Sequence, residues 1–133
     1  MPLNVRSVGD VVILSNFARL MNDPRYVDAA RDLAELLDRG ARRFVIDLTG
    51  VRETGASFLG LLMTLTRRIR QERGEAVLAN PSREMRAFLL DEMQMEEYWD
   101  ILPSVEEAVA FQSREADRAD DDDSAPSDPT FPG

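Results

Sequence analysis

Two hydroxyls, Thr54 and Ser57, stand three residues apart in RETGASF (residues 52–58), between an apolar run that reads as a strand and an apolar stretch that reads as a helix. The first N–H groups of a helix have no intrahelical partner, so a hydroxyl at that point either caps one of them or stays exposed for modification. Ser57 is read first as the N-cap, a role worth about 0.5–2 kcal/mol, and second as a phospho-acceptor. Thr54 is the other acceptor candidate, although it and Glu53 are equally well explained as residues that satisfy the turn. A phosphate here would place a charge near about −2 at a helix N-terminus, which the domain tolerates but an acidic partner or a close-fitting interface does not. Modification would then act as a binding switch.

Little else in the chain points to chemistry. There is no His and no Cys, so imidazole bases, thiolate nucleophiles, Cys/His zinc sites and disulfides are excluded. There is also no Lys, and a hydrolase would be reduced to paired carboxylates. A metal site would need carboxylates alone, and none is expected. Neither G-x-x-x-x-G-K-[ST] nor G-x-G-x-x-G occurs, so no nucleotide or other cofactor is implied. The reading is of a protein without enzymatic activity.

The net charge is −9, from 25 acidic and 16 basic residues, which argues against nucleic acid as a partner. More than half of that excess lies after Ser113, where the local net charge is −5. No apolar run approaches the ~18 residues of a membrane span, and MPLNVRSVGD lacks the pattern of a secretory signal. A cytoplasmic protein without membrane insertion is expected.

The elements that must position the 52–58 turn follow from periodicity. Residues 3–8 and 11–17 read as a β-hairpin around Gly9-Asp10. Asn22-Asp23-Pro24 opens a helix to about Asp38, with Tyr26, Ala29, Ala30, Leu33, Leu36 and Leu37 on its apolar face. Phe44 to Leu48, broken only by Asp47, has the pattern of a central strand covered on both faces. The next helix, from about Ser57 to Arg73, turns Phe58, Leu61, Leu62, Leu65 and Ile69 inward, and Gly74 is expected as its C′ residue. A strand at Ala76–Ala79 follows, then a helix opened by Asn80-Pro81-Ser82 that turns Met85, Phe88 and Leu89 inward. Tyr98 to Leu102 reads as a short edge strand or an extended link, and Ser104 with Glu107 forms a capping box for the last helix. The expected division is a domain over residues 1–112 and an acidic, Pro- and Ser-rich disordered tail over 113–133. The fold class is α/β, a mixed sheet with an N-terminal β-hairpin and helices packed against it, and its binding surface should lie beyond the carboxyl ends of the strands.

This order, with DLTGV (Asp47 to Val51), L-G-L-L (Leu59 to Leu62) and ANPS (Ala79 to Ser82), resembles the STAS domain of bacterial anti-sigma-factor antagonists over roughly Leu3 to Phe111. The resemblance implies a bacterial signalling role in transcription regulation, with an anti-sigma factor that is also a serine protein kinase as partner. It implies a contact surface formed by the loop Arg52, Glu53, Thr54, Gly55, Ala56, Ser57, Phe58 and the helix after it. In such antagonists an Asp precedes a phosphorylated Ser. An ungapped alignment from Gly50-Val51 puts Gly55 at the Asp and Ala56 at the acceptor, so the usual acceptor is replaced by Ala56. The alternative is a non-phosphorylated STAS scaffold subunit of a larger complex, such as a stress-signalling assembly or a lipid-transport ATPase. A homo-oligomer is compatible with either.

The remaining candidates have plainer readings. Phe58 is read as core packing ahead of a partner-facing anchor. Arg67, Arg68, Arg70 and Arg73 are read as a solvated helix end that complements the dipole, ahead of a face for an acidic partner. Asp120 to Asp123 are read as solvation of a terminus, and Met93, Met95, Tyr98 and Trp99 as core filling ahead of an adaptable contact patch.

Overall fold

The computed structural model describes residues 3–20, 28–52 and 55–124. Strands β1 (Asn4–Val8) and β2 (Val11–Ser15) form the antiparallel hairpin, with Val8 opposite Val11 across the Gly9-Asp10 turn. Gly9 supplies the left-handed φ of +59° that such a turn needs. A one-turn helix α1 (Phe17–Leu20) then leads away, so the second strand ends earlier than expected and Phe17 becomes helical. Helix α2 is described from Asp28 to Asp38, and its expected opening at Asp23-Pro24 lies outside the described residues.

Strands β3 (Arg43–Asp47) and β4 (Glu75–Ala79) flank helix α3 (Ala56–Gln71) in the chain. Helix α4 (Arg83–Ala87) continues into a π-helical turn at Phe88–Glu92, and a two-residue strand β5 (Ile101–Leu102) precedes helix α5 (Val105–Ser124). The sheet order is β1-β2-β3-β4-β5, with β2, β3, β4 and β5 parallel to one another and β1 antiparallel at the edge. This is the mixed α/β sheet that the alternation of strands and helices predicts.

Alternation along the strands divides the core into two layers. Val12, Leu14, Phe44, Ile46, Ala76 and Leu78 pack against Leu33 and Leu37 of α2, Phe58, Leu62, Leu65 and Ile69 of α3, and Met85 and Leu89 beyond. Val11, Ile13, Val45, Val77 and Ala79 face α5 through Ala108, with Leu102, Val105 and Val109 beside it. Phe44, Val45 and Ile46 are each 0 % exposed, so β3 has the doubly covered position that its apolar run predicts.

Local chemistry sets the ends of several elements. Ser104 Oγ accepts from Glu107 N–H at 3.1 Å, so the expected cap of α5 forms, and within Asn80-Pro81-Ser82 it is Ser82 whose Oγ caps α4, accepting from Met85 N–H at 3.0 Å. The end of α3 corrects the expectation for Gly74. The left-handed C′ position is held by Arg73 (φ +66°), and the Schellman bonds run from Arg73 N–H to Arg70 O at 3.0 Å and from Gly74 N–H to Ile69 O at 2.9 Å. Gly74 meets a different demand: a Cβ there would lie 2.5 Å from the Arg42 carbonyl oxygen. Two neighbouring positions favour glycine, and the backbone clash decides which one receives it. At the other end of the chain α5 runs on to Ser124, so its C-terminal turns extend into the segment expected to be disordered, while residues 125–133 lie outside the described residues.

One buried polar contact joins distant parts of the helical layer, and one buried carboxylate there keeps an oxygen without a partner. Trp99, 3 % exposed, donates from Nε1 to Thr66 Oγ1 at 2.9 Å, which ties the approach to β5 to α3 and satisfies both groups. Asp32, 6 % exposed, sits on the inner side of α2 with Oδ2 lacking a partner. Burial raises its pKa above the ordinary carboxylate value of 3.8, and Glu35 and Asp28 push the same way against a hydrogen bond from the Leu3 backbone. The folded state therefore holds this proton more tightly than the unfolded chain, so stability is lost as pH rises from about 4 through the folded pKa. Asp32→Asn is expected to raise the Tm at neutral pH, with the gain disappearing toward pH ~4, as thermal denaturation across that range would read. A pH-independent change would contradict the assignment.

Candidate functional site

The site grows from the carboxyl end of β3. Asp47, the last residue of β3, accepts from Thr49 N–H at 3.0 Å and from the Thr49 hydroxyl at 2.6 Å, both at Oδ1. Asn80, just past β4, donates from Nδ2 to Thr49 Oγ1 at 2.8 Å, and Leu48 N–H bonds Ala79 O at 2.9 Å. The ends of the two strands are thus joined by a chain of side-chain bonds as well as by the ladder. Asn80 has φ +54°, a left-handed conformation that Asn tolerates better than most side chains.

From Thr49 the chain turns sharply. Val51 N–H closes on Leu48 O at 3.1 Å, with Gly50 at φ +82° as the left-handed third residue of the turn. Val51 is 1 % exposed and Phe58 is 1 % exposed, so the loop between them is fastened at both ends in the core. Phe58 packs edge-on against Phe17 with ring centroids 6.3 Å apart. This corrects the inclusion of Phe58 in the partner-facing loop, because its ring lies beneath the loop and supports it. Between the anchors Arg52, Ala56 and Ser57 are exposed and Gly55 is half-exposed, while Glu53 and Thr54 lie outside the described residues.

Helix α3 begins one residue earlier than periodicity suggests. Gly55 is the N-cap in extended backbone (φ 175°, ψ 171°), with no side-chain cap bond, and its carbonyl accepts from Leu59 N–H at 3.0 Å. Ser57 is therefore the second helical residue and not the cap, a correction that leaves its hydroxyl on the surface. Ala56, onto which the resemblance maps the usual acceptor, is the first helical residue and exposed as well. The exposed row continues along α3 through Gly60, Thr64, Arg67, Arg68 and Gln71.

Across from the loop, Gly50, Val51 and Arg52 border a shallow depression with Asn80, Pro81, Ser82 and Glu84. Among the described residues the hydroxyl of Thr49 is held by Asp47 and Asn80, and that of Ser82 accepts from the α4 backbone. Among the described residues no group of three or more carboxylates could hold a metal ion. Of the arginines expected as a solvated helix end, Arg67, Arg68 and Arg73 are exposed. Arg70 instead folds back, bonding Glu75 Oε1 at 2.7 Å and the Tyr98 carbonyl at 2.6 Å, with its guanidinium 4.7 Å from the Tyr98 ring centre.

Sequence reasoning missed the Asp47–Thr49–Asn80 chain. The Asp-x-Thr spacing is an Asx-turn signal and was available locally, but Asn80 joins from 31 residues away. Ser57→Ala is expected to change unfolding free energy by less than about 0.5 kcal/mol, because no cap bond is lost. Thr49→Val, which breaks the link between the strand ends, is expected to cost about 1–2 kcal/mol in urea denaturation. The reverse ranking would restore Ser57 as the structural residue.

Known structures share this arrangement. An anti-sigma-factor antagonist (STAS) domain protein from Planctomyces limnophilus superposes with a TM-score of 0.68 at 24% identity, covering 84% of this chain and 97% of that one. A Thermotoga maritima protein described as an anti-sigma factor antagonist gives 0.65 at 20% identity, covering 84% and 95%. At these identities the likeness is one of fold. No curated protein matches the sequence. Among the described residues no helix is long and apolar enough to cross a membrane. The family model described as "Mlab, STAS domain" matches residues 27–94, from the start of α2 through the π-helical turn and just over half of the 133-residue chain. That segment holds the loop and the helix built above, and the chain belongs to the STAS domain family.

Proposed function

We propose that the chain is a non-catalytic protein-interaction module of bacterial signalling that antagonises an anti-sigma factor of the serine-kinase type. It binds through the exposed part of residues 52–58 and the outer row of α3, with Phe58 as the support beneath. Glu53 and Thr54 belong to the same loop, and Ser57 and Thr54 are its remaining hydroxyls for modification. A cytoplasmic location and a part in transcription regulation accompany this reading.

The observation that carries it is Gly60. This glycine sits within α3 on its exposed row, and a Cβ added there would meet nothing within 4 Å. Packing within the domain gives no reason for glycine, which costs about 0.5–1 kcal/mol relative to Ala inside a helix. Close approach of a partner's backbone to the helix offsets that cost, because only a residue without a side chain lets two chains meet so near. Exposed Ala56 and Ser57 one turn earlier keep the same surface low.

A second reading is favoured by Ala56, which has no hydroxyl at the position where antagonists are switched. On that reading the module is a non-phosphorylated STAS scaffold subunit held permanently in a larger complex, such as a stress-signalling assembly or a lipid-transport ATPase.

Affinity capture of the full chain, read by mass spectrometry for partner and modification together, separates the two. The antagonist reading expects a kinase-type anti-sigma factor; transporter subunits without a kinase would contradict it. Gly60→Ala is expected to stabilise the isolated chain by about 0.5–1 kcal/mol while lowering partner recovery about tenfold. Unchanged recovery would remove the α3 row from the interface under either reading.

A further inference from the structure

Arg43 and Glu75 are the first residues of β3 and β4, so the concavity they border lies at the opposite end of the sheet from the 52–58 loop. It is a cleft of about 500 Å³ between the start of β4, the approach to β5 and the middle of α5. Five carboxylates line it against two guanidiniums. Both guanidiniums already have partners: Arg70 holds Glu75 and the Tyr98 carbonyl, and Arg43 Nη2 reaches the Glu115 carbonyl at 3.5 Å. Glu115 also forms an exposed pair with Arg118 at 3.1 Å. The carboxylates of Glu96, Glu97 and Asp100 have no ion-pair partner among the described residues, and residues 91–100 contain acids and no base.

An acidic rim is common on a chain of net charge −9, but the floor of this cleft adds a separate observation. Gln112 lines it and is 0 % exposed. Its Nε2 donates to the carbonyls of Phe44 at 2.8 Å and Glu75 at 3.1 Å, and these two bonds fix which way the amide faces. The other arm of the amide, Oε1, is left as a buried acceptor with no hydrogen-bond partner. A buried acceptor without a donor is unfavourable, and a donor brought into the cleft relieves it. Guanidinium and ammonium groups bring donors only, together with the charge that the rim favours.

Arg70 is an internal precedent, since the cleft wall already holds one guanidinium by carboxylate, carbonyl and aromatic face. Half-buried Tyr98 and Phe111 offer apolar surface for the stem of a long basic side chain. Strand β5 pairs with Leu78 and Ala79, so among the described residues the first residues of β4, Glu75 and Ala76, border the cleft on that side and not a strand, the kind of edge along which an extended segment lies. We propose that this cleft binds an arginine or lysine side chain carried on an extended segment of a partner protein, a contact separate from the loop at the far end of the sheet.

Trp99 lines the cleft and is the chain's single tryptophan, so its emission reports on occupancy. The full chain is titrated with an acetylated, amidated five-residue peptide bearing two arginines, with the same peptide bearing two glutamates, and with agmatine as a free cation. Saturable change is expected with the arginine peptide and not with the glutamate peptide. The double variant Glu97→Gln, Asp100→Asn should weaken arginine-peptide binding about tenfold, while Asp91→Asn, Glu92→Gln, which lie on the same lobe outside the cleft, should leave it within about twofold. Absence of a saturable response, or an equal loss in both double variants, would overturn the proposal. Agmatine binding as tightly as the peptide would overturn the assignment to a protein segment in favour of a small amine.

Discussion

The structure depends on keeping both faces of β3 dry. Phe44 and Ile46 turn toward the layer of α2 and α3, Val45 turns toward α5, and all three are fully buried. A strand in that position has only its two ends at the surface. Its sequence follows the constraint, with Arg43 at one end, Asp47 at the other and nothing polar between them. Two concavities lie at opposite ends of β3 and β4, one bordered by Arg43 and Glu75 and the other by Gly50 and Asn80.

At the carboxyl end the constraint becomes a display device. The chain must leave the dry layer, reverse and re-enter it as α3, and it does so between two buried anchors, Val51 and Phe58. The Asp47–Thr49–Asn80 bonds stiffen the exit, and the Phe58–Phe17 contact fixes the return. What remains outside is a short segment of small and polar residues running into the exposed row of a helix. Such a surface has little capacity for bond-making. It presents low relief at a helix start, a feature that a protein partner can read.

Much of this was legible because its causes are local. The period-two and three-to-four patterns place the strands and helices, and Ser82 and Ser104 identify themselves as caps by the residues just after them. Where causes are remote, the sequence misleads or stays silent. Gly74 looks like the helix terminator, but Arg42 from a preceding segment claims it, and Arg73 takes the strained position instead. Ser57 looks like a cap, yet α3 starts at Ala56 in the wake of an extended Gly55, against the local preference of the N-cap for Ser over Gly. The bonds from Asn80 to Thr49, from Trp99 to Thr66 and from Gln112 to Phe44 join residues that only the folded sheet brings together. The π-helical turn at Phe88–Glu92 likewise has no signature that periodicity would catch.

On the proposed reading, a partner is recognised at the carboxyl end of the sheet. Amide hydrogen exchange on the full chain, alone and in complex with its captured partner, tests it most directly. The account predicts slowed exchange concentrated in residues 52–64, beyond whatever protection the core already gives. Unchanged exchange across 52–64, with new protection confined to other surfaces, would contradict it.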